Sequence, residues 1–179
     1  MPIVTVFGGN AVETGNAEYQ EAYELGRLLA QAGYTVATGG YHGTMEATSR
    51  GAKEAGAHVI GVTTARFDDR LGPNPWVDEE VKFPTLFQRL HYLVTFSDAL
   101  VTLRGGVGTL SEVALSWSLI QVAEMPRKPL VLVGPHWQQI METFHHESTV
   151  KERDWALISF AASVVDVIPL LRSQVAGRR

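Results

Sequence analysis

Along this chain, short unbroken apolar runs alternate with stretches in which apolar residues recur every three or four positions. The runs are Ile3-Val4-Thr5-Val6-Phe7, Tyr34 to Ala37, His58 to Thr63, Ala99 to Leu103, Pro129 to Val133 and Leu157 to Phe160. Their length and β-branched content predict six strands buried on both faces. Between the first two, Tyr19, Ala22, Tyr23, Leu25, Leu28 and Leu29 recur at helical spacing from Ala17 to Ala32, and Gly33 stops the pattern. The same rhythm predicts helices from Thr44 to Ala55, from Thr85 to Phe96 and from Leu110 to Ala123, with others between and after the last strands. Strands that alternate with helices predict an α/β fold. We expect a single-domain, Rossmann-like, doubly wound parallel sheet with helices on both faces, spanning residues 1–179.

One segment breaks the rhythm. Thr64 to Pro84 is rich in Asp, Gly and Pro and contains Gly72-Pro73-Asn74-Pro75-Trp76. An irregular stretch of that length in a compact domain is either a lid or specificity loop, or a structural detour with a short edge strand around Glu79 to Phe83.

Three strand ends carry glycine. Gly8-Gly9-Asn10 follows the first strand, and Gly39-Gly40-Tyr41-His42-Gly43 follows the second and leads into Thr44-Met45-Glu46. Arg104-Gly105-Gly106-Val107-Gly108-Thr109-Leu110-Ser111-Glu112 lies between the fourth strand and the next helix. At a strand's carboxyl end, the unpaired amides and positive dipole end of a helix N-terminus favour a phosphate or carboxylate. Three such loops in one chain predict one shared anion site. Thr85-Leu86-Phe87-Gln88 and Thr109-Leu110-Ser111-Glu112 both have the form of a capping box, which places Arg89 and Glu112 in the first turns of their helices. Right-handed crossovers then bring both residues to the edge that carries the glycines. Plainer readings stand beside this one: Glu112 capping its own helix, and Arg89 as a solvated surface charge.

Composition narrows the chemistry. A formal charge of -4 argues against a nucleic-acid groove or an anionic membrane as the main partner. The chain has no cysteine, so thiol catalysis and thiolate metal sites are excluded. The first apolar run lacks a basic leader, and no stretch approaches the roughly 20 apolar residues of a membrane span, so a cytoplasmic address is expected. Glu142, His145 and His146 have the spacing of zinc ligands but read more simply as a solvated helix face, and Arg178-Arg179 as a frayed tail. The helix from Leu110 to Ala123 is apolar over more than half its circumference, which predicts a homodimer packed through it.

The Arg104–Glu112 stretch resembles the Pro-Gly-Gly-x-Gly-Thr-x-x-Glu signature of the LOG (lonely guy) family, cytokinin riboside 5′-monophosphate phosphoribohydrolases long labelled lysine decarboxylases. Gly39-Gly40-Tyr41-His42-Gly43-Thr44-Met45 is similar to that family's second glycine motif, and Arg89 matches its arginine. The resemblance runs from about Val4 to Val133. It implies hydrolysis of the N-glycosidic bond of a nucleoside 5′-monophosphate, AMP or an N6-substituted AMP, by a homodimer without metal or other cofactor. By the same resemblance, Arg89 and Glu112 are the catalytic pair. Gly105, Gly106, Gly108 and Thr109 cradle the phosphate, and Gly8, Gly9, Gly39, Gly40, Gly43, Thr44 and Met45 form the floor and base pocket.

Three positions depart from the pattern. Arg104 replaces the proline, Leu90 replaces a lysine, and Glu46-Ala47 replaces a glycine-containing pair. The Met-Glu-Ala version is also similar to the branch that holds molybdenum-cofactor carrier proteins. At Arg104 two outcomes stay open: an added phosphate contact, or a guanidinium in the ribose site that leaves a binder rather than an enzyme. A decarboxylase needs a Schiff-base lysine, and Lys53, Lys82, Lys128 and Lys151 all lie outside the glycine loops.

Overall fold

A computed structural model of the chain describes residues 1–67 and 72–176; the Arg178-Arg179 tail and part of the irregular segment lie outside them. Seven parallel strands form one sheet: β1 (Ile3–Phe7), β2 (Thr35–Thr38), β3 (Val59–Thr64), β4 (Glu79–Phe83), β5 (Ala99–Thr102), β6 (Leu130–Val133) and β7 (Ser159–Ala161). Their order is β4-β3-β2-β1-β5-β6-β7. The helices are α1 (Ala17–Gln31), α2 (Thr44–Glu54), α3 (Leu86–Thr95), α4 (Val107–Gln121), α5 (Pro135–Glu147), α6 (Glu152–Trp155) and α7 (Val167–Ala176). The expected doubly wound α/β architecture is the one observed.

Both sheet faces are covered, as continuous apolar strands require. Val4, Val6, Val36, Val59, Val101 and Val131 pack on one side against α1, α2 and α7. On the other, Ile60, Val62, Leu100, Leu130 and Leu132 pack against α3, α4 and α5. The chain first winds outward from β1 to β4, then returns to start β5 on the far side of β1. Strand order therefore reverses between β1 and β5, whose register pairs Phe7 with Thr102. Both strands end level, and their glycine loops leave the sheet side by side. Ligands of open α/β sheets bind at this crevice.

The irregular segment contains the edge strand. β4 pairs with β3 from Ile60–Glu79 to Thr64–Phe83, and its outer positions are polar and largely exposed, as an edge strand tolerates. Ahead of β4, Asn74 is buried and fastens the segment to the second glycine loop. Its amide and its side-chain Nδ2 both donate to the Gly40 carbonyl (2.8 and 3.1 Å), and Nδ2 also donates to Tyr41 O at 2.9 Å.

α1 and α2 approach closely because each presents a glycine. A Cβ on Gly26 would run into the Thr48 carbonyl, and one on Gly51 into the backbone of Tyr23. Alanine suits a helix interior better than glycine by about 1 kcal/mol, but here backbone has to move to admit it. Gly51→Ala should therefore lower the denaturant midpoint, with a net loss of about 1–3 kcal/mol; an unchanged or raised midpoint would show that the two helices can separate freely.

Candidate active site

The three glycine loops meet on the peptide of Gly9. Its N–H donates to the Arg104 carbonyl at 3.1 Å, and its carbonyl accepts from the Thr44 amide and hydroxyl at 3.0 and 2.8 Å. Several glycines are required by this closeness. Gly43 has φ +71° and lies against Gly9 and Asn10, Gly8 lies against the Thr44 hydroxyl, and Gly105 lies against Thr109 and the Gly9 nitrogen. Gly40, at φ +77°, packs on Gly61.

Gly106 and Gly108 differ from these. Neither would bring a Cβ within 4 Å of any neighbour, and Gly106 has φ -100°, which any residue adopts. The protein's own packing does not call for glycine at either position. They leave open space at the N-terminus of α4, whose capping residue Gly106 has no side chain to satisfy the first-turn amides.

That start corrects the sequence expectation for this helix. α4 begins at Val107 rather than Leu110, so Thr109 is its third residue, not its cap, and the Thr109–Glu112 capping box does not exist. Glu112 lies in the second turn instead of the first. The Thr85 cap is present: the Gln88 amide donates to Thr85 Oγ1 at 3.2 Å, and the hydroxyl donates to Gln88 Oε1 at 2.8 Å.

The surface reading of Arg89 fails. Arg89 is 7% exposed. Its Nε donates to Val62 O at 2.7 Å and its Nη2 to Gly39 O at 3.0 Å, so carbonyls at the ends of β3 and β2 hold it in place. The guanidinium lies 5.4 Å from the Tyr41 ring centroid. Gly39 has no room for a Cβ because Arg89 Nη2 and the Met45 sulfur occupy that space. Among the described residues, Nη1 of Arg89 has no hydrogen-bond partner.

Glu112 is half-buried and lies within electrostatic reach of this cation. Burial raises its carboxyl to about 7, and the attraction of Arg89 only partly opposes the rise. Loss of water outweighs the neighbouring positive charge. Burial likewise holds the Arg89 pKa below its ordinary value, against the pull of Glu112 and Tyr41.

Arg104 anchors its carbonyl in the glycine junction but turns its side chain out, where Nη1 pairs with Glu18 of α1 at 3.0 Å. No atom of its side chain comes within 4 Å of the position a Cβ on Gly106 would take. Sequence reasoning missed Tyr41 and Asn74 as supports of the second loop; the Tyr41 hydroxyl accepts from Thr64 N at 2.8 Å and donates to Thr64 O at 3.2 Å. The Asn74 signal was a single amide in a Pro-Gly-rich stretch. Among the described residues no cluster of His, Cys, Asp or Glu could hold a metal ion. His145 is not solvated as expected, but stacks on Trp155 and pairs with Glu152 at 3.0 Å. No helix among the described residues is long and apolar enough to cross a membrane.

Comparison with known proteins agrees with the fold. The SLOG cluster4 family matches residues 1–158. A cytokinin riboside 5′-monophosphate phosphoribohydrolase of Mycobacterium tuberculosis is 32% identical over 127 residues, 70% of this chain and 67% of that protein. Two solved structures align over nearly the whole chain. The molybdenum cofactor binding protein of Rippkaea orientalis is 27% identical, with a TM-score of 0.78 and 97% of both chains covered. The molybdenum cofactor carrier protein of Chlamydomonas reinhardtii is 29% identical, with a TM-score of 0.76 and 98% of both chains covered.

The raised carboxyl of Glu112 has a stability consequence. Between the unfolded carboxyl pKa near 4.5 and about 7, the folded protein holds a proton that the unfolded chain releases, so stability falls as pH rises and levels off above about 7. Glu112→Gln, uncharged at every pH, should therefore stabilise the protein at pH 8 by up to about 3 kcal/mol and change little near pH 4. Thermal melts of both proteins at the two pH values test it, and equal effects at both would overturn the burial argument.

Proposed function

The chain belongs to the SLOG cluster4 family, and from that premise we propose that it is a phosphoribohydrolase that splits a nucleoside 5′-monophosphate into free base and ribose 5-phosphate. The observation that carries the proposal is the opposition of Glu112, with a carboxyl near 7, to the buried Arg89 beside an open glycine cradle. Binding alone does not call for a half-buried acid poised at neutral pH.

In this reaction the phosphate sits over Gly105, Gly106, Gly108 and Thr109, held by first-turn amides of α4. Gly8, Gly9, Gly39, Gly40, Gly43, Thr44 and Met45 form the floor and base pocket. Arg89, its Nη1 uncommitted, takes the phosphate or ribose. As the glycosidic bond breaks, positive charge develops on the ribose. The Glu112 carboxylate stabilises that charge more strongly than it does the neutral ground state and removes a proton from the attacking water. A carboxyl near 7 is effective here because, at neutral pH, a sizeable ionised fraction coexists with a basicity well above that of an ordinary carboxylate. No metal or other cofactor enters this scheme. We assign the reaction to the cytoplasm and the partner to a small nucleotide.

A second reading has its own support. Two of the full-length structural matches are a molybdenum cofactor binding protein and a carrier protein, and an amide cradle holds the phosphate of a carried ligand as readily as that of a substrate. In that case Glu112 would be a half-buried acid without a reaction.

We also propose that the protein is a homodimer. On the side of α4 away from Glu112, a groove of about 560 Å³ runs between α4 and α5, lined by Leu110, Trp117, Ile140 and Phe144 among others. Ile140 and Phe144 are each about half exposed. Such a patch on a chain of this size suits a second copy.

Incubation with AMP and with an N6-substituted analogue, followed by chromatography, should show free base and ribose 5-phosphate. The rate should rise with pH through about 7, and Glu112→Gln should lower it by about 10²- to 10⁴-fold. Nucleotide bound but uncleaved would favour the carrier reading. Sedimentation should give twice the 19.6 kDa chain mass, and Phe144→Asp should shift it to one chain; a native monomer at micromolar concentration would defeat the dimer.

A further inference from the structure

Asn74 is 2% exposed although it sits between two prolines in an irregular segment, and burying its amide is costly unless each polar atom is met. Each is met. Nδ2 donates to the carbonyls of Gly40 and Tyr41, at 3.1 and 2.9 Å, and Oδ1 accepts from Trp76 N at 3.1 Å. The rest of the stretch is tied down as well. The Arg50 guanidinium lies 5.3 Å from the Trp76 ring centroid, Val77 fills the space above Gly61, and Asp78 N donates to Val59 O at 2.9 Å. Residues 72–78 are therefore anchored, which a lid is not.

Pairing of β4 with β3 begins at Ile60–Glu79 and uses none of the Asn74 side-chain bonds. What those bonds hold is the part of the second glycine loop that carries Arg89. The Gly39–Gly40 peptide lies between two glycines, so it is the most easily rotated link of the loop, and its carbonyl accepts from Arg89 Nη2 at 3.0 Å. Thr38 Oγ1 accepts the N–H of that peptide at 3.1 Å. Asn74 holds the next two carbonyls, and the second belongs to Tyr41, whose ring centroid lies 5.4 Å from the same guanidinium. Release of those two carbonyls frees the Gly39–Gly40 peptide to turn, and with it the carbonyl that orients Nη2. The bond from Nε to Val62 O, at 2.7 Å, then holds a guanidinium that can swivel about it.

We propose that Asn74 is a positioning residue for Arg89: it fixes the second glycine loop so that the guanidinium keeps one orientation, and it acts on a bound ligand only through that arginine. The proposal rests on the reading of Arg89 as the group that takes the phosphate or ribose. It adds to that reading a residue of the β3–β4 connection.

Titration calorimetry with AMP, and heteronuclear NMR of the arginine side chains, test it in the native protein, Asn74→Ala, Asn74→Asp and Trp76→Ala. Arg89 Nε–H, buried and bonded to Val62 O, should give a cross-peak of its own, identified by its loss in Arg89→Lys. In Asn74→Ala this peak should move or broaden, and AMP should bind about tenfold more weakly. Asn74→Asp should do at least as much, since its carboxylate faces the carbonyls of Gly40 and Tyr41 and donates to neither. Trp76→Ala loosens the same segment without removing a bond to the loop, so it should keep the native peak and an affinity within about twofold of native. A native peak and native affinity in Asn74→Ala, or equal losses in Trp76→Ala, would overturn the proposal. A native protein that binds no AMP would defeat the reading of the site, while the Arg89 peak still decides whether Asn74 positions the guanidinium.

Discussion

Gly9 gives its N–H to Arg104 and its carbonyl to both the amide and the hydroxyl of Thr44, so the loop after β1 cannot shift without drawing the loops after β2 and β5 with it. This bonding is possible only because β1 is central and the strand order reverses beside it. Parallel pairing on both sides delivers the ends of β2 and β5 to either side of Gly8-Gly9. At Gly8, Gly43 and Gly105 a side chain would force the loops apart. Once they are closed in this way, the amides of α4 and the side chain of Met45 are held in one place without any ligand.

On that frame sits an electrostatic balance in which desolvation dominates. Arg89 has given up water almost completely, in return for two carbonyls at the ends of β2 and β3 and the face of Tyr41. Glu112 has lost enough water that its carboxyl rises to about 7 despite the cation opposite. In both groups desolvation disfavours the charged form more than their mutual attraction favours it. Such an imbalance is the usual signature of a site that interacts with charge arriving from outside. An anion at Arg89 and a cationic ribose at Glu112 would each relieve part of it.

Much of the architecture could be read from the chain because interior parallel strands are plain apolar runs: β1, β2, β3, β5 and β6 lie within a residue or two of the runs that predict them. β4 was harder, since Glu79, Glu80 and Lys82 on an edge strand look like loop residues until Val81 is seen against the core. The start of α4 was misplaced because Thr109-Leu110-Ser111-Glu112 imitates a capping box, while the actual cap, Gly106, has no side chain to announce itself. Convergence of the glycine loops was legible from their position after strands. The environment of Arg89 was not: a cation near a helix start reads as exposed, and only the fold shows two strand-end carbonyls waiting for it. Solvent exclusion around Glu112 was equally invisible in the sequence.

α4 links the two halves of the functional reading. Glu112 projects from one side of the helix toward Arg89, and Leu110, Ala114 and Trp117, from the opposite side, line the groove against α5. Its first turn follows directly on Gly106, so a single element carries the end of the glycine loop, the acid and the apolar patch. A helix so engaged cannot rotate to improve one contact without displacing the others. The half-turn between Glu112 and the groove places any second copy behind the acid rather than over it, so such a copy would stiffen the wall from which Glu112 projects without closing the cleft. Residues on the groove side therefore pack the same helix that carries Glu112.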